Sequence, residues 1–151
     1  NLEFETEIVS DSQSLHELAQ IAVKAAPGLR LMRDPTRGGL SATLNEIAHQ
    51  SGVGMALDET AIPVKPEVKA ACELMGLDPV NIANEGKLIA ICAADDAQAL
   101  LAAMRGHETG RDAAIIGTVT EDKNHVIRMK TKLGGNRVMD WMAGEQLPRI
   151  C

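Results

Sequence analysis

Three short segments of the chain carry residue types that do chemistry. The first is Asp34-Pro35-Thr36-Arg37-Gly38-Gly39, which runs into Leu40, Leu44, Ile47 and Ala48 at helical spacing. Two consecutive glycines at a helix start cost about 1 kcal/mol each relative to alanine, a loss that makes sense where another backbone or an anion must come close. Arg37 beside them would add a bidentate phosphate contact. The alternative is structural: Asp34 caps the helix with Pro35 at its first position, and the glycines serve close packing. The second segment is Asn84-Glu85-Gly86, between two apolar stretches. Asn and Gly suit a turn with a solvated Glu85, but a turn beside a buried strand also holds a carboxylate at a site edge, where it works as a base. The third is the terminal Pro148-Arg149-Ile150-Cys151. A thiol on the last residue is freely presented; Arg149 favours its thiolate and the adjoining carboxylate opposes it. Terminal residues are often incidental, yet an exposed thiol without structural duty invites oxidation, which argues for a use.

The remaining reactive residue types point elsewhere. Cys72 and Cys92 sit inside apolar patterns and read as core. Three widely spaced cysteines make neither a zinc site nor a redox loop; free thiols indicate a reducing, cytoplasmic compartment. His16, His49, His107 and His125 are scattered, so no metal site is expected. No Walker-type loop or dinucleotide fingerprint is present. With 15 Lys and Arg against 21 Asp and Glu, the net charge of -6 repels polyphosphate backbones. Phe4 and Trp141 are the only aromatic residues of the three large types, which removes base stacking as an activity. No apolar run approaches the ~20 residues that span a bilayer.

The elements that must position these segments follow from periodicity. The 151 residues suffice for one domain with a real core of Ala, Leu, Ile, Val and seven Met. Residues 3–9 alternate as a strand, and Ser12 opens a helix that Pro27-Gly28 ends. Residues 29–32 form a short apolar piece. The helix carrying the first motif closes at Gly52, and residues 53–57 are strand-like. Pro66 starts a helix that Gly76 stops. Residues 87–94 read as a strand covered on both faces, and Asp95 caps a helix that Gly106 terminates. Residues 113–120 and 125–131 are expected to form a hairpin through Glu121-Asp122-Lys123-Asn124. Gly134-Gly135 is a further break, and residues 137–142 make a last short segment. The sum is an α/β (α+β) fold, a mixed β-sheet covered by helices over residues 1–142, followed by an aperiodic tail at 143–151. Asn1 stands where an initiator Met would, as in a chain cut from something longer.

Together, the Asp34–Gly39 loop, Asn84-Glu85-Gly86 and the terminal Pro148-Arg149-Ile150-Cys151 resemble the carbamoyl dehydratase family of nickel-iron hydrogenase maturation. The first two motifs are shared with aminoimidazole ribonucleotide synthetase, selenophosphate synthetase and thiamine-phosphate kinase; the terminal motif narrows the resemblance. It implies a fold like the C-terminal domain of aminoimidazole ribonucleotide synthetase. It further implies that the N-terminal domain, with most of the ATP and Mg2+ site and the dimer interface, is absent, leaving the chain inactive alone. By the same resemblance a carbamoyltransferase (HypF) loads Cys151, ATP activates the carbamoyl oxygen, Glu85 takes a nitrogen proton, and the cyanide formed passes to a HypC–HypD scaffold. Asp34, Thr36, Arg37, Gly38 and Gly39 then face the nucleotide cleft. Two other readings remain: a non-catalytic interaction domain whose tail docks maturation partners, and an ATP-dependent synthetase of a purine or selenium pathway.

Overall fold

The computed structural model describes residues 9–141. Within them two cores lie on either side of a two-stranded ribbon. Helix α1 (His16–Ala25) places Leu18 and Ala22 one turn apart, with Ala26 following, and this stripe packs against Leu100 and Met104 of α4 (Ala97–Arg105). The ribbon pairs β1 (Leu29–Arg33) antiparallel with β3 (Ile89–Cys92), Leu31 facing Ile91 and Met32 facing Ala90. Alternation sends Ala90 and Cys92 into the α1–α4 core and Ile89 and Ile91 into the second core. The expected cover on both faces is therefore present, although each residue of β3 remains half-buried because the ribbon has only two strands.

The second core joins α2 (Gly39–Ser51) to a four-stranded mixed sheet. Leu44, Ile47 and Ala48 of the helix meet Met55 and Leu57 of β2 (Gly54–Asp58), Ile127 and Met129 of β5 (Ile127–Lys130) and Met139 of β6 (Asn136–Met139). The strand order is β4-β2-β5-β6, with β4 spanning Gly117–Thr120. Buried Asn45 locks helix to sheet, its amide donating to the carbonyls of Ser41 at 2.9 Å and Met139 at 3.1 Å. Helix α3 (Pro66–Met75) has Pro66 in its first turn and Gly76 at its left-handed cap, as its sequence predicts. No helix among the described residues is long and apolar enough to cross a membrane.

Four local expectations are corrected. The strands β4 and β5 do not form a hairpin: β2 lies between them, antiparallel to β4 and parallel to β5. The turn at 121–124 carries the chain over the start of β2, where a methyl group on Gly54 would lie 2.6 Å from the Asp122 Cβ. Asp122 secures this crossing by accepting from Arg128 at 2.7 Å and from the Asn124 N–H at 2.9 Å. The actual hairpin is β5–β6, closed by the Thr131 N–H donating to the Gly135 carbonyl, with Gly134 at φ +87. Helix α1 begins at His16 without a side-chain cap, leaving Ser12 outside. The cap position of α4 is Asp96, one residue after the predicted Asp95, and its carboxylate accepts from the Gly28 N–H instead of from its own helix. Asp34 does not cap α2, whose cap position is Gly38. The strand expected over residues 3–9 falls almost wholly outside the described residues.

Candidate functional site

The first motif forms the entry to α2. Gly38 and Gly39 both adopt left-handed backbone, φ +69 and +62, which glycine enters without the Cβ penalty of other residues. Gly39 is buried, and a methyl group there would lie 2.5 Å from the Ile82 carbonyl oxygen and 2.7 Å from that of Val80. Its N–H donates to the Thr36 carbonyl at 2.9 Å. Of the two reasons for a glycine here, approach of another backbone accounts for Gly39. At Gly38 the neighbour is the Ala42 Cβ, 2.6 Å from where a methyl group would sit. The N–H groups of Gly38, Leu40 and Ser41 have no acceptor among the described residues, the usual condition of a helix start. No acidic side chain stands in this first turn, so the positive end of the helix is uncompensated there. Asp34 and Arg37 are exposed and Thr36 is half-buried.

The second motif is stitched to the first. The Asn84 N–H donates to the carbonyl of buried Pro35 at 3.0 Å, and the Asn84 amide donates to the Ile82 carbonyl at 2.7 Å. The segment holding Val80 and Ile82, a single 3-10 turn at Pro79–Asn81, is thus pressed on Gly39 and leads directly into Asn84 and Glu85. Asp78 caps that turn by accepting from the Val80 N–H, and its other carboxylate oxygen pairs with Arg137 of β6. Glu85 is half-buried, and among the described residues its carboxylate makes no hydrogen bond or ion pair.

A third segment, unmarked by sequence reasoning, completes the arrangement. The Asp11 carbonyl passes over Gly86 so closely that a methyl group there would sit 1.6 Å from its oxygen. The Gln13 amide donates to the Gly86 carbonyl at 3.1 Å, and Lys87 lies 3.8 Å from the Asp11 carboxylate. Nothing in the residue types of 11–13 signals this role; only the choice of Gly beside Glu85 hints at a close neighbour.

The chemistry available is clear from these parts. Open N–H donors and the exposed cation Arg37 at the start of α2 suit an anion, and an unpaired carboxylate on the adjoining turn suits a proton acceptor. Cys151 and Arg149 lie outside the described residues. The other two thiols are poor nucleophiles: burial, and secondarily Asp78, pushes Cys72 above the ordinary thiol range, and burial with Asp96 does the same to Cys92. The described residues contain no group of three or more His, Cys, Asp and Glu side chains able to hold a metal ion.

Comparison with known proteins places the fold. Residues 2–130 match the family profile described as AIR synthase related protein, C-terminal domain. The chain is 66% identical over 151 residues to "Carbamoyl dehydratase HypE" of Cupriavidus necator, covering 100% of this chain and 43% of that protein. It is similar to the solved structure of hydrogenase maturation protein HypE in complex with ATP, with TM-score 0.91 and 43% identity, covering 99% of this chain and 46% of the other. It is also similar to the structure of a HypE–HypF complex, with TM-score 0.87 and 41% identity over 92% of this chain and 45% of the other. The chain therefore spans less than half the length of the relatives it matches.

Proposed function

The chain belongs to the AIR synthase related family, as that family's C-terminal domain, and on that premise we propose that it is the cysteine-bearing part of an ATP-dependent carbamoyl dehydratase that makes cyanide ligands for nickel-iron hydrogenase. The observation that carries this reading is the Asn84–Pro35 hydrogen bond, which sets an unpaired carboxylate on the turn adjoining an open helix start. It is supported by a relative named carbamoyl dehydratase that aligns over the whole length of the chain.

A carbamoyl group loaded by the carbamoyltransferase HypF is carried on the Cys151 sulfur, a link from which cyanide can later leave more readily than from an oxygen ester. The solved complex of a relative with HypF supports that partner. ATP transfers its terminal phosphoryl group to the carbamoyl oxygen and departs as ADP. Both nitrogen protons then leave, Glu85 accepting one and the departing phosphate carrying the other; the C–O bond breaks and a thiocyanate remains on sulfur. Glu85 suits this step because, among the described residues, no cation or donor occupies its oxygens. For the phosphate, the Gly38, Leu40 and Ser41 N–H groups and Arg37 are the fitting donors, with Asp34 and Thr36 in the same loop and Gly39 letting the loop close on the Glu85 turn. The remaining contacts to ATP and Mg2+ would come from the N-terminal domain found in the longer relatives. In this reading the tail at 143–151 moves between that cleft and external partners, the HypC–HypD scaffold among them, and the full-length protein acts in the cytoplasm as a homodimer.

The test is mass spectrometry of the full-length protein after loading by the carbamoyltransferase and ATP. Glu85→Gln should retain the carbamoyl adduct and lower its conversion to the cyano form by about 100-fold or more, and Cys151→Ala should carry neither adduct. Conversion at the wild-type rate in Glu85→Gln would remove that carboxylate from the mechanism.

A further inference from the structure

We propose that Gln13 is a positioning residue for Glu85, and that residues 11–13 form a strap that sets where that carboxylate stands. The inference rests on the reading of Glu85 as the base. Three independent observations support it.

The turn carrying Glu85 is held at both ends by different parts of the chain. On its upstream side the anchors are the Pro35 and Ile82 carbonyls, which take the Asn84 N–H and amide. On its downstream side, among the described residues, the one hydrogen bond to the Gly86 carbonyl from a side chain is that of Gln13, 73 positions away in sequence. Gly86 itself does not adopt positive φ, so its backbone conformation does not require glycine. What requires glycine is the Asp11 carbonyl, 1.6 Å from where any Cβ would sit. The residue beside Glu85 lacks a side chain so that the strap can pass.

The strap also displaces local structure. The apolar pattern predicts a helix from Ser12, yet α1 starts at His16 with Leu15 at φ -111 and no side-chain cap, although Ser12 and Ser14 are good capping types. Ser14 instead pairs with His16 at 2.8 Å. Residues that local preference would give to the helix are held outside it, with Asp11 and Gln13 against the turn, the kind of conflict that gathers at functional sites. Proton transfer requires heavy-atom distances near 3 Å, and a misplacement of about 1 Å costs about 100-fold in rate. Releasing Gly86 from Gln13 removes the side-chain anchor on the downstream side of Glu85 without touching either buried core, because Gln13 is exposed.

The experiment uses the full-length protein loaded with carbamoyl on Cys151, comparing Gln13→Leu, which keeps the size and removes the donor, with Gln13→Lys, which restores a donor of similar reach. Gln13→Leu should lower kcat for cyano formation about tenfold to 100-fold, with the KM for ATP, the extent of loading and the melting temperature unchanged. Gln13→Lys should recover most of the rate. Wild-type kcat in Gln13→Leu, while Glu85→Gln is inactive, overturns the strap and leaves the base in place. A joint fall of rate, loading and melting temperature that Gln13→Lys does not rescue assigns Gln13 to folding and overturns the proposal too. Full activity in Glu85→Gln would instead remove the reading on which it rests.

Discussion

Replacing Gly39 by alanine should destabilise the chain far more than the same change at Gly52, and the difference measures how tightly the two motif loops are joined. Both glycines have nearly the same left-handed backbone, φ +62 and +68, so the conformational penalty of about 1–2 kcal/mol for a residue with a Cβ is common to both. Their surroundings differ. At Gly52 a methyl group would meet nothing within 4 Å, whereas at Gly39 it would meet the Ile82 and Val80 oxygens at 2.5 and 2.7 Å and the Asn81 carbonyl carbon at 2.8 Å. All three are backbone atoms and cannot swing aside. Forcing the helix start away from them costs about 1–3 kcal/mol as overpacking. Losing the Asn84–Pro35 hydrogen bond in the process would add about 1 kcal/mol. The Gly39→Ala penalty should therefore exceed that of Gly52→Ala by about 2–4 kcal/mol, or about 4–16 °C in melting temperature for a chain of this size. Thermal unfolding followed by far-ultraviolet circular dichroism measures both variants under one condition. Equal losses would show that the loops do not press on one another and would undo the account of Gly39 as a packing glycine.

Two further outcomes follow from charge and burial. The Arg128 side chain, and then the Asn124 N–H, hold Asp122 below the ordinary carboxylate range. A carboxyl lowered in the folded state contributes stability that is complete above its unfolded value, near pH 4, and vanishes as pH falls through the folded one. Asp122→Asn should flatten the decline of melting temperature below about pH 4, and a decline parallel to that of the wild type would refute this. Because burial raises the Cys72 and Cys92 thiols, Ellman's reagent at mildly alkaline pH should label these two slowly in the native chain and quickly in denaturant; fast labelling of either in the native chain would contradict the packing of those cores.

What the sequence made legible was local. The ends of α2, α3 and α4 could be read because Gly52, Pro66, Gly76 and Gly106 act on their own neighbours. The division of β3 between two cores followed from an unbroken apolar run. Errors arose where a distant segment overrode a local preference. The hairpin expected at 121–124 failed because β2, far upstream, fits between its arms. Asp34 followed by Pro35 carries the usual signals of a cap, but the helix begins at Gly39 with Gly38 in the cap position, where Gly39 meets the Val80 and Ile82 carbonyls. The candidate site follows the same division. Asp34–Gly39 and Asn84–Gly86 stand out in the sequence by residue type, and the structure brings the two segments together, whereas no pattern links an exposed glutamine to the Gly86 turn so far along the chain.

The central place of β2 also bears on how the molecule comes to be folded. Gly54 finds Thr120 and Met55 finds Ile127, so the strand stays without either neighbour until the chain has been made as far as β4 and β5. Throughout that wait both its edges are free to recruit strangers. Pairings this remote favour slow closure, from milliseconds to seconds, over the microsecond assembly of helical bundles. The half of the molecule built on α1, α4 and the ribbon is no more local, because α1 must wait for α4 and Leu29 for Cys92, so neither half closes on its own neighbours in sequence.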